Sequence, residues 1–130
     1  MDVLCDSSFL MNLVSRPTRC QDKVENEIGP LRFIVPSNVL AELEEMKFRV
    51  GQKRSRMAET AISIANSNFE VRSIGYHDSQ VDDLLTEYAT RNKCAVATMD
   101  QVLLRRLIGN DVLVITFAKD RMIVANHYRP

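Results

Sequence analysis

The chain has 130 residues, of which 45% are hydrophobic and 26% charged, a composition typical of one soluble globular domain. Seventeen basic residues balance seventeen acidic ones, so no overall field attracts nucleic acid, and such a partner requires a local basic patch. Three cysteines, an odd number, predict free thiols in a reducing cytosol. The first residues have no basic lead-in and are interrupted by Asp6, so we expect neither a signal peptide nor a membrane span.

Short apolar runs alternate with helical patterns along the chain. The first run ends at Asp6, and Ser7 or Ser8 is the expected N-cap of the next helix. This alternation predicts a parallel sheet with helices on both faces, joined by right-handed crossovers. The tail from Asn126 is expected to fray. Strands are predicted over 3–5, 33–35, 69–74, 94–98 and 112–117, with 122–124 as a candidate edge strand, and later helices over 18–28, from 37, over 55–66, from 81 and over 101–108.

Two acids have matching positions on predicted helices. On the helix from Val81, Asp82 lies about 90° from the centre of the apolar face, whereas Asp83 points nearly the opposite way, towards water. Glu42 has the same phase as Asp82 on the helix that follows Pro36, and we expect both in the first turns of their helices.

Two further acids, Asp6 and Asp100, follow the first and fourth predicted strands. The carboxyl ends of parallel strands share one edge of the sheet, where functional groups gather, so the four acids are expected to converge there. Carboxylates that close repel one another unless cations lie between them, and an oxygen-rich cluster selects Mg²⁺ or Mn²⁺.

Each acid also has a structural interpretation. Asp6 and Asp100 are possible N-caps, and Glu42 and Asp82 possible members of capping boxes, with Ser79 as the partner of Asp82. Taken singly, capping is favoured for all but Asp6, but four matching positions together favour a metal site. Neither histidine has a second His or Cys at ligand spacing, so His77 and His127 are interpreted as loop and tail residues, and the cysteines as packing residues.

A run of five cations, KFRVGQKRSR, follows the Glu42 helix. By itself such a run is better explained as a solvated loop and helix start. If RNA is the partner, its cations are the best candidates for phosphate contacts: Lys47, Arg49, Lys53, Arg54 and Arg56.

Four segments resemble, in order and across almost the whole chain, the motifs of the PIN domain nucleases: LCDSSFLMNL, VPSNVLAEL, VDDLLTEYA and AVATMDQVLLRRL. The resemblance implies a single PIN domain over residues 1–130, with a three-layer α/β/α fold around a mainly parallel sheet of four to five strands. Ser7-Ser8 stands where many members have Thr-Asn or Thr-Ser, and Met99 where many have Asn. The residues implied as catalytic and metal-binding are Asp6, Glu42, Asp82 and Asp100, with Ser8, Thr98 and Asp83 in support.

The activity implied by the resemblance is hydrolysis of RNA phosphodiester bonds by water activated on one or two Mg²⁺ or Mn²⁺ ions. The DDLL and ATMDQVLLRRL segments look more like the cytoplasmic PIN endoribonucleases of ribosomal RNA processing in archaea and eukaryotes than like bacterial toxins. The expected partners are single-stranded or looped RNA and ribosomal precursor particles, with no membrane; a homodimer stays open.

Three alternatives stay open beside this prediction. One is a PIN-fold RNA-binding assembly factor whose cleavage depends on partners, and another is the toxin ribonuclease of a toxin and antitoxin pair. The third is a phosphotransfer enzyme or receiver domain, which needs a second Asp near the first or a Lys after a late strand, whereas Asp6 is followed by Ser7-Ser8-Phe9.

Overall fold

The computed structural model describes residues 1–16, 21–49, 51–75 and 80–128. Six strands form one sheet: β1 (Asp2–Cys5), β2 (Arg32–Pro36), β3 (Glu70–Arg72), β4 (Ala95–Ala97), β5 (Val114–Ala118) and β6 (Arg121–Val124). Their order is β3-β2-β1-β4-β5-β6. All neighbours are parallel except β6, which is antiparallel to β5. The mainly parallel sheet is confirmed, but four to five strands was too few, because the candidate edge strand pairs fully with β5.

Six α-helices and a final 3-10 helix cover the sheet: α1 (Ser7–Leu13), α2 (Gln21–Ile28), α3 (Ser37–Arg49), α4 (Gln52–Asn68), α5 (Val81–Asn92), α6 (Gln101–Gly109) and Ala125–Tyr128. Helices α1 to α4 pack on one face and α5 and α6 on the other, which gives the predicted three layers. None of the helices in the described part of the chain has the length and apolar character needed to cross a membrane.

The two faces follow the two-residue period of β1. Val3 and Cys5 belong to the core beneath α1 to α4, while Leu4 belongs to the core beneath α5 and α6. Cys5 and Cys94 are buried free thiols, as their interpretation as packing residues requires, and burial raises the pKa of both. The central strands are therefore covered on both sides, which explains their nearly continuous apolar sequences.

Some predicted boundaries were wrong. The N-cap of α1 is Asp6, the residue for which the capping interpretation was least favoured, and not Ser7 or Ser8. Helix α4 begins at Gln52 rather than Ser55, so Lys53 and Arg54 lie on a helix and not in a loop. The start of the helix predicted over 18–28 and the partnership of Ser79 with Asp82 fall outside the described residues.

The tail was expected to fray from Asn126, but up to Tyr128 it forms a 3-10 helix held by side-chain contacts. The Asn126 side chain accepts a hydrogen bond from the backbone N–H of Val114 at 2.8 Å and donates one to the carbonyl of Val112 at 3.0 Å. His127 lies 2.7 Å from the carboxylate of Glu27 on α2. These contacts tie the final 3-10 helix to the sheet and to α2.

Candidate active site

Asp6 lies at the carboxyl end of β1, in the middle of the sheet. Its backbone N–H donates to the carbonyl of Ala97 at 3.1 Å, which continues the pairing of β1 with β4. Its buried side chain accepts hydrogen bonds from the Phe9 backbone N–H at 2.9 Å, the Ser8 hydroxyl at 2.7 Å and the Thr98 hydroxyl. Burial nevertheless raises the pKa of Asp6 from its ordinary value, since it outweighs these three donors and the charge of Asp82 adds repulsion.

Ser8 and Thr98 join the start of α1 to the β4–α6 loop. The Ser8 hydroxyl accepts from the backbone N–H of Met99 at 2.9 Å, and the Thr98 hydroxyl accepts from that of Asp100 at 3.0 Å. Thr98 is fully buried beneath the site. Both side chains predicted to support the acids therefore contact Asp6 and fix its orientation relative to Asp100.

Asp100 is the N-cap of α6, and like Asp6 it lies at the end of the sheet where the carboxyl ends of the parallel strands meet. Its Oδ1 accepts hydrogen bonds from the backbone N–H groups of Val102 at 2.9 Å and Leu103 at 3.2 Å. Both bonds go to one carboxylate oxygen, which leaves Oδ2 outside the cap. Capping and a place in the site are thus compatible for this residue.

Glu42 is the sixth residue of α3 and lies in its second turn, so the expectation of a first-turn position was wrong. That position also removes the capping interpretation, because the unpaired N–H groups belong to the first turn. The Glu42 carboxylate accepts a hydrogen bond from the Ser7 hydroxyl. The start of α1 therefore holds two acids, Asp6 through Ser8 and Glu42 through Ser7.

Asp82 and Asp83 both lie in the first turn of α5 and both are exposed, but they have different neighbours. Desolvation raises the pKa of Asp82, and the charge of Asp100 raises it further, while Arg106 on α6 acts in the opposite sense. Asp83 pairs with Arg106 at 2.7 Å. One acid thus meets other carboxylates, and its neighbour meets a cation.

A cavity of about 300 Å³ opens at this edge of the sheet. All four predicted acids line it, together with Ser8, and its position is the one expected for functional groups in an open α/β sheet. Sequence reasoning missed Gln80 and the roles of Ser7 and Arg106, which have no pattern of their own. We call this the acidic cavity, lined by Asp6, Ser7, Ser8, Glu42, Gln80, Val81, Asp82 and Asp100.

The donor set of the acidic cavity fits a hard divalent cation in kind and in charge. It offers carboxylate, hydroxyl and amide oxygens, and Asp82 is repelled by both Asp6 and Asp100. Among the residues that the structure describes, no three Asp, Glu, His or Cys side chains lie close enough to hold an ion as they stand. An ion held by one or two of these carboxylates would complete its coordination with water, as Mg²⁺ commonly does.

The predicted phosphate-binding cations whose side chains the structure describes do not line the acidic cavity. Lys47 pairs with Glu44 at 3.6 Å, and Arg54 is exposed on α4. Lys53 and Arg56 line a separate groove of about 470 Å³ beside Val14. The side chain of Arg49 falls outside the described residues.

Comparison with known proteins places the fold. The structure entitled "Structure of the PIN domain endonuclease Utp24" superposes with a TM-score of 0.75 at 19% identity, covering 96% of this chain and 91% of that one. VapBC2 from Rickettsia felis, bound to a DNA fragment from its promoter, gives a TM-score of 0.63 at 14% identity and coverages of 91% and 100%. A domain of a functionally unknown protein from Methanocaldococcus jannaschii gives 0.58 at 17% identity, with 95% of both chains covered.

No curated protein matches the chain. These structural likenesses show a shared fold. A family model described as a PIN like domain matches residues 3–120. With nearly the whole sequence inside that match, and a mainly parallel three-layer fold that superposes on PIN structures, the chain belongs to the PIN-like domain family.

Proposed function

We propose that this protein is a metal-dependent endoribonuclease that hydrolyses RNA phosphodiester bonds at the acidic cavity. The observation that carries the proposal is the meeting of Asp6, Glu42, Asp82 and Asp100, from four separate parts of the chain, around one opening. Four acids in one cavity are not explained by a structural role, because the repulsion of Asp82 by Asp6 and Asp100 destabilises the folded chain. Membership in the PIN-like family supports the same reading.

The four acids would hold one or two Mg²⁺ or Mn²⁺ ions, which lower the pKa of bound water and neutralise charge that develops on the phosphate. The chain supplies the positions of these acids. Ser8 and Thr98 orient the Asp6 carboxylate, and the α6 N-terminus holds Asp100 by one oxygen. Arg106 pairs with Asp83 and partly offsets the charge of Asp82.

The phosphotransfer alternative has less support. Its lysine after a late strand has a counterpart in Lys119, which follows β5 directly, but Lys119 does not line the acidic cavity. For the natural substrate we propose a ribosomal precursor RNA. The motif pattern of the sequence supports this choice.

The decisive test is cleavage of structured and single-stranded RNAs by purified protein with Mg²⁺, with Mn²⁺ and with EDTA. We expect cleavage with either ion, none in EDTA, and none from Asp6→Asn, with melting above room temperature for both proteins. Cleavage that persists in EDTA or in folded Asp6→Asn would overturn the proposal. Two further outcomes separate the alternatives. Internal cuts in ribosomal precursor RNA, with no growth arrest when the protein is expressed, would favour ribosomal RNA processing over a toxin. Cleavage that occurs only after an assembly partner is added would favour the assembly factor.

A further inference from the structure

The separate groove beside Val14 lies at the far end of α1 from the acidic cavity. We call it the basic groove; it has a volume of about 470 Å³ and is lined by Val14, Gln52, Lys53, Arg56, Met57 and Thr60. Helix α1 starts at Ser7, which lines the acidic cavity, and its C-cap is Val14. At about 1.5 Å for each residue, the two openings therefore lie about 10 Å apart along this helix.

Four of the lining residues form one face of α4. Lys53, Arg56, Met57 and Thr60 follow the i, i+3, i+4, i+7 spacing that brings side chains together on a helix. Arg54 is turned by about 100° from Lys53 and does not line the groove. The helical phase thus selects two of the three cations at the start of α4.

The positive charge of the basic groove is not neutralised by the acids that the structure describes. The lining holds Lys53 and Arg56 and no carboxylate, and neither side chain forms an ion pair with a described acid. Lys47, near the end of α3, differs because it pairs with Glu44. Two cations that line one opening without an acid favour an anion between them.

The start of α4 adds to this preference for an anion. Its N-cap is Gly51, which has no side chain to bind the first N–H groups of the helix. Such N–H groups carry partial positive charge and favour a phosphate. Gln52 and Lys53, the first two residues of α4, line the basic groove, so the helix start lies beside it.

The rest of the lining suits the base and the sugar of a nucleotide. Val14 and Met57 are half-buried, and both pack against the core beneath α1 to α4, so they offer an apolar surface to a base. The Gln52 amide can donate and accept hydrogen bonds, and the Thr60 hydroxyl, which donates to the carbonyl of Arg56 at 3.0 Å, can accept them. The volume lies within the range for ligand pockets, about 300–1,000 Å³.

A cation on a helix surface is ordinarily solvated and needs no ligand. The basic groove combines unpaired cations, a helix start and an apolar surface in one opening, and these are the contacts that a phosphate, a sugar and a base require together. Binding of single-stranded nucleic acid commonly extends over several nucleotides, about 4–16 in one family of folds, so a strand cut at the acidic cavity can reach the far end of α1.

We propose that the basic groove binds one nucleotide of the RNA strand that is cut at the acidic cavity, with its phosphate on Lys53 and Arg56 and its base against Val14 and Met57. This proposal rests on the proposed ribonuclease function and adds a second contact with the substrate, at the far end of α1 from the cut.

Nucleotide binding can be measured without cleavage. The probes are the common nucleoside 5′-monophosphates and inorganic phosphate, added in EDTA to isotopically labelled protein and followed by NMR. We expect a nucleotide to shift the amide signals of Val14 and of residues 52–60, and inorganic phosphate to bind less tightly because it lacks the contacts with Val14 and Met57. Nucleotide shifts confined to other parts of the chain, or equal affinities for nucleotide and phosphate, would overturn the proposal.

Two arginine variants separate the groove from its surroundings. Arg56→Ala should weaken nucleotide binding at least about tenfold, the effect of losing one hydrogen bond to a charged group. The matched control is Arg54→Ala, which removes the same charge from an exposed position outside the groove and should leave that affinity unchanged. Equal losses in both variants would show attraction by net charge alone and would overturn the contact.

Gly51→Asp separates a lost contact from a damaged fold. A side chain at Gly51 meets no atom within 4 Å, and Asp is a favoured N-cap, so the variant should melt no lower than the wild type. The new carboxylate beside Lys53 should nevertheless repel the phosphate and lower the affinity for the nucleotide. Unchanged nucleotide affinity in this variant would contradict a phosphate at the start of α4.

Cleavage of RNAs of different length shows whether the bound nucleotide belongs to the substrate. Arg56→Ala should raise KM for RNAs that extend several nucleotides from the cut on the side that reaches the groove, and leave KM unchanged for RNAs that end beside the cut. An unchanged KM at every length would mean that the groove binds free nucleotides only, which would overturn the proposal while leaving the ribonuclease function intact. Absence of cleavage for every RNA would overturn the ribonuclease function as well.

Discussion

Asp82 and Asp83 are neighbours with opposite surroundings, and exchanging each for Asn separates a site residue from a surface residue. Asp82 faces Asp100 and Asp6, whereas Asp83 faces Arg106 at 2.7 Å. If Asp82 helps to hold the metal, its loss removes several kcal/mol of transition-state stabilisation. At about 1.4 kcal/mol for each factor of ten, Asp82→Asn should lower kcat/KM by at least about 100-fold. Asp83→Asn should retain most of the activity.

Without metal, the variant that loses activity should be the more stable one: Asp82→Asn should melt at a higher temperature than Asp83→Asn. The Asp83 and Arg106 side chains are 56% and 45% exposed, so their ion pair is worth about 0.2–1 kcal/mol, and Asp83→Asn should lower the melting temperature by at most about 4 °C. Asp82→Asn removes a charge that is repelled by other acids and should raise it. The gain over wild type should disappear below pH 3.8, the ordinary pKa of Asp, where the wild-type carboxyl is protonated as well.

The assays are metal-dependent RNA cleavage and thermal melting in EDTA, both measured for the two variants and the wild type. A dead Asp83→Asn beside an active Asp82→Asn would refute the assignment. A fall in stability of about 0.5–2 kcal/mol in Asp82→Asn, with full turnover per folded molecule, would instead identify Asp82 as a capping residue.

Three further outcomes are expected. Replacing Lys53, Arg54 and Arg56 together with Ala should weaken binding of single-stranded RNA and reduce the slope of log K against log salt by about 2, from about 0.7 for each lost phosphate contact; an unchanged slope would identify a solvated surface. The raised pKa of Asp6 should also make stability depend on pH in EDTA, because between pH 3.8 and that pKa the folded wild type binds more protons than the unfolded chain. The free energy of unfolding of the wild type, relative to that of Asp6→Asn, should therefore fall as the pH rises through this range. Equal pH profiles of the two proteins in urea unfolding would contradict this. Thr98→Val removes a hydroxyl donor to Asp6, so it should raise the pKa of Asp6 further and extend the fall of relative stability in EDTA to higher pH, whereas an equal loss of stability at every pH would indicate a packing defect.

Local pattern determined much of the fold. The alternation of apolar runs and helical segments predicted a parallel sheet covered on both faces, and the helical phase at α5 distinguished Asp82 from Asp83 before any contact was known. Both depend on regular periods, of about 2 residues in a strand and 3.6 in a helix, which the sequence displays directly. The position of Asp6 directly after an apolar strand likewise placed it where the carboxyl ends of the parallel strands meet.

Local pattern offered alternatives at cap and edge positions, and contacts in the folded chain decided between them. Asp6, rather than Ser7 or Ser8, became the N-cap because the serine hydroxyls bind Glu42 and Asp6 instead. The edge strand β6 formed because it pairs with β5, a partner that a four-residue segment cannot specify alone. Glu42 reached the acidic cavity from the second turn of α3 because α1 meets it there.

Tertiary structure alone decided the distances and the hydrogen-bond and ion-pair partners of the side chains that share the site. Sequence separation between Asp6, Glu42, Asp82 and Asp100 gives no distance, and their meeting follows from a sheet order that sets β1 between β2 and β4. The same packing paired Arg106 with Asp83 and set the cations of α4 outside the acidic cavity. It also left the side-chain oxygen Oδ1 of Asn38 buried without a hydrogen-bond partner. The residue types that suit a metal could thus be predicted from the sequence, because chemistry belongs to single side chains, whereas their distances and partners belong to the folded chain.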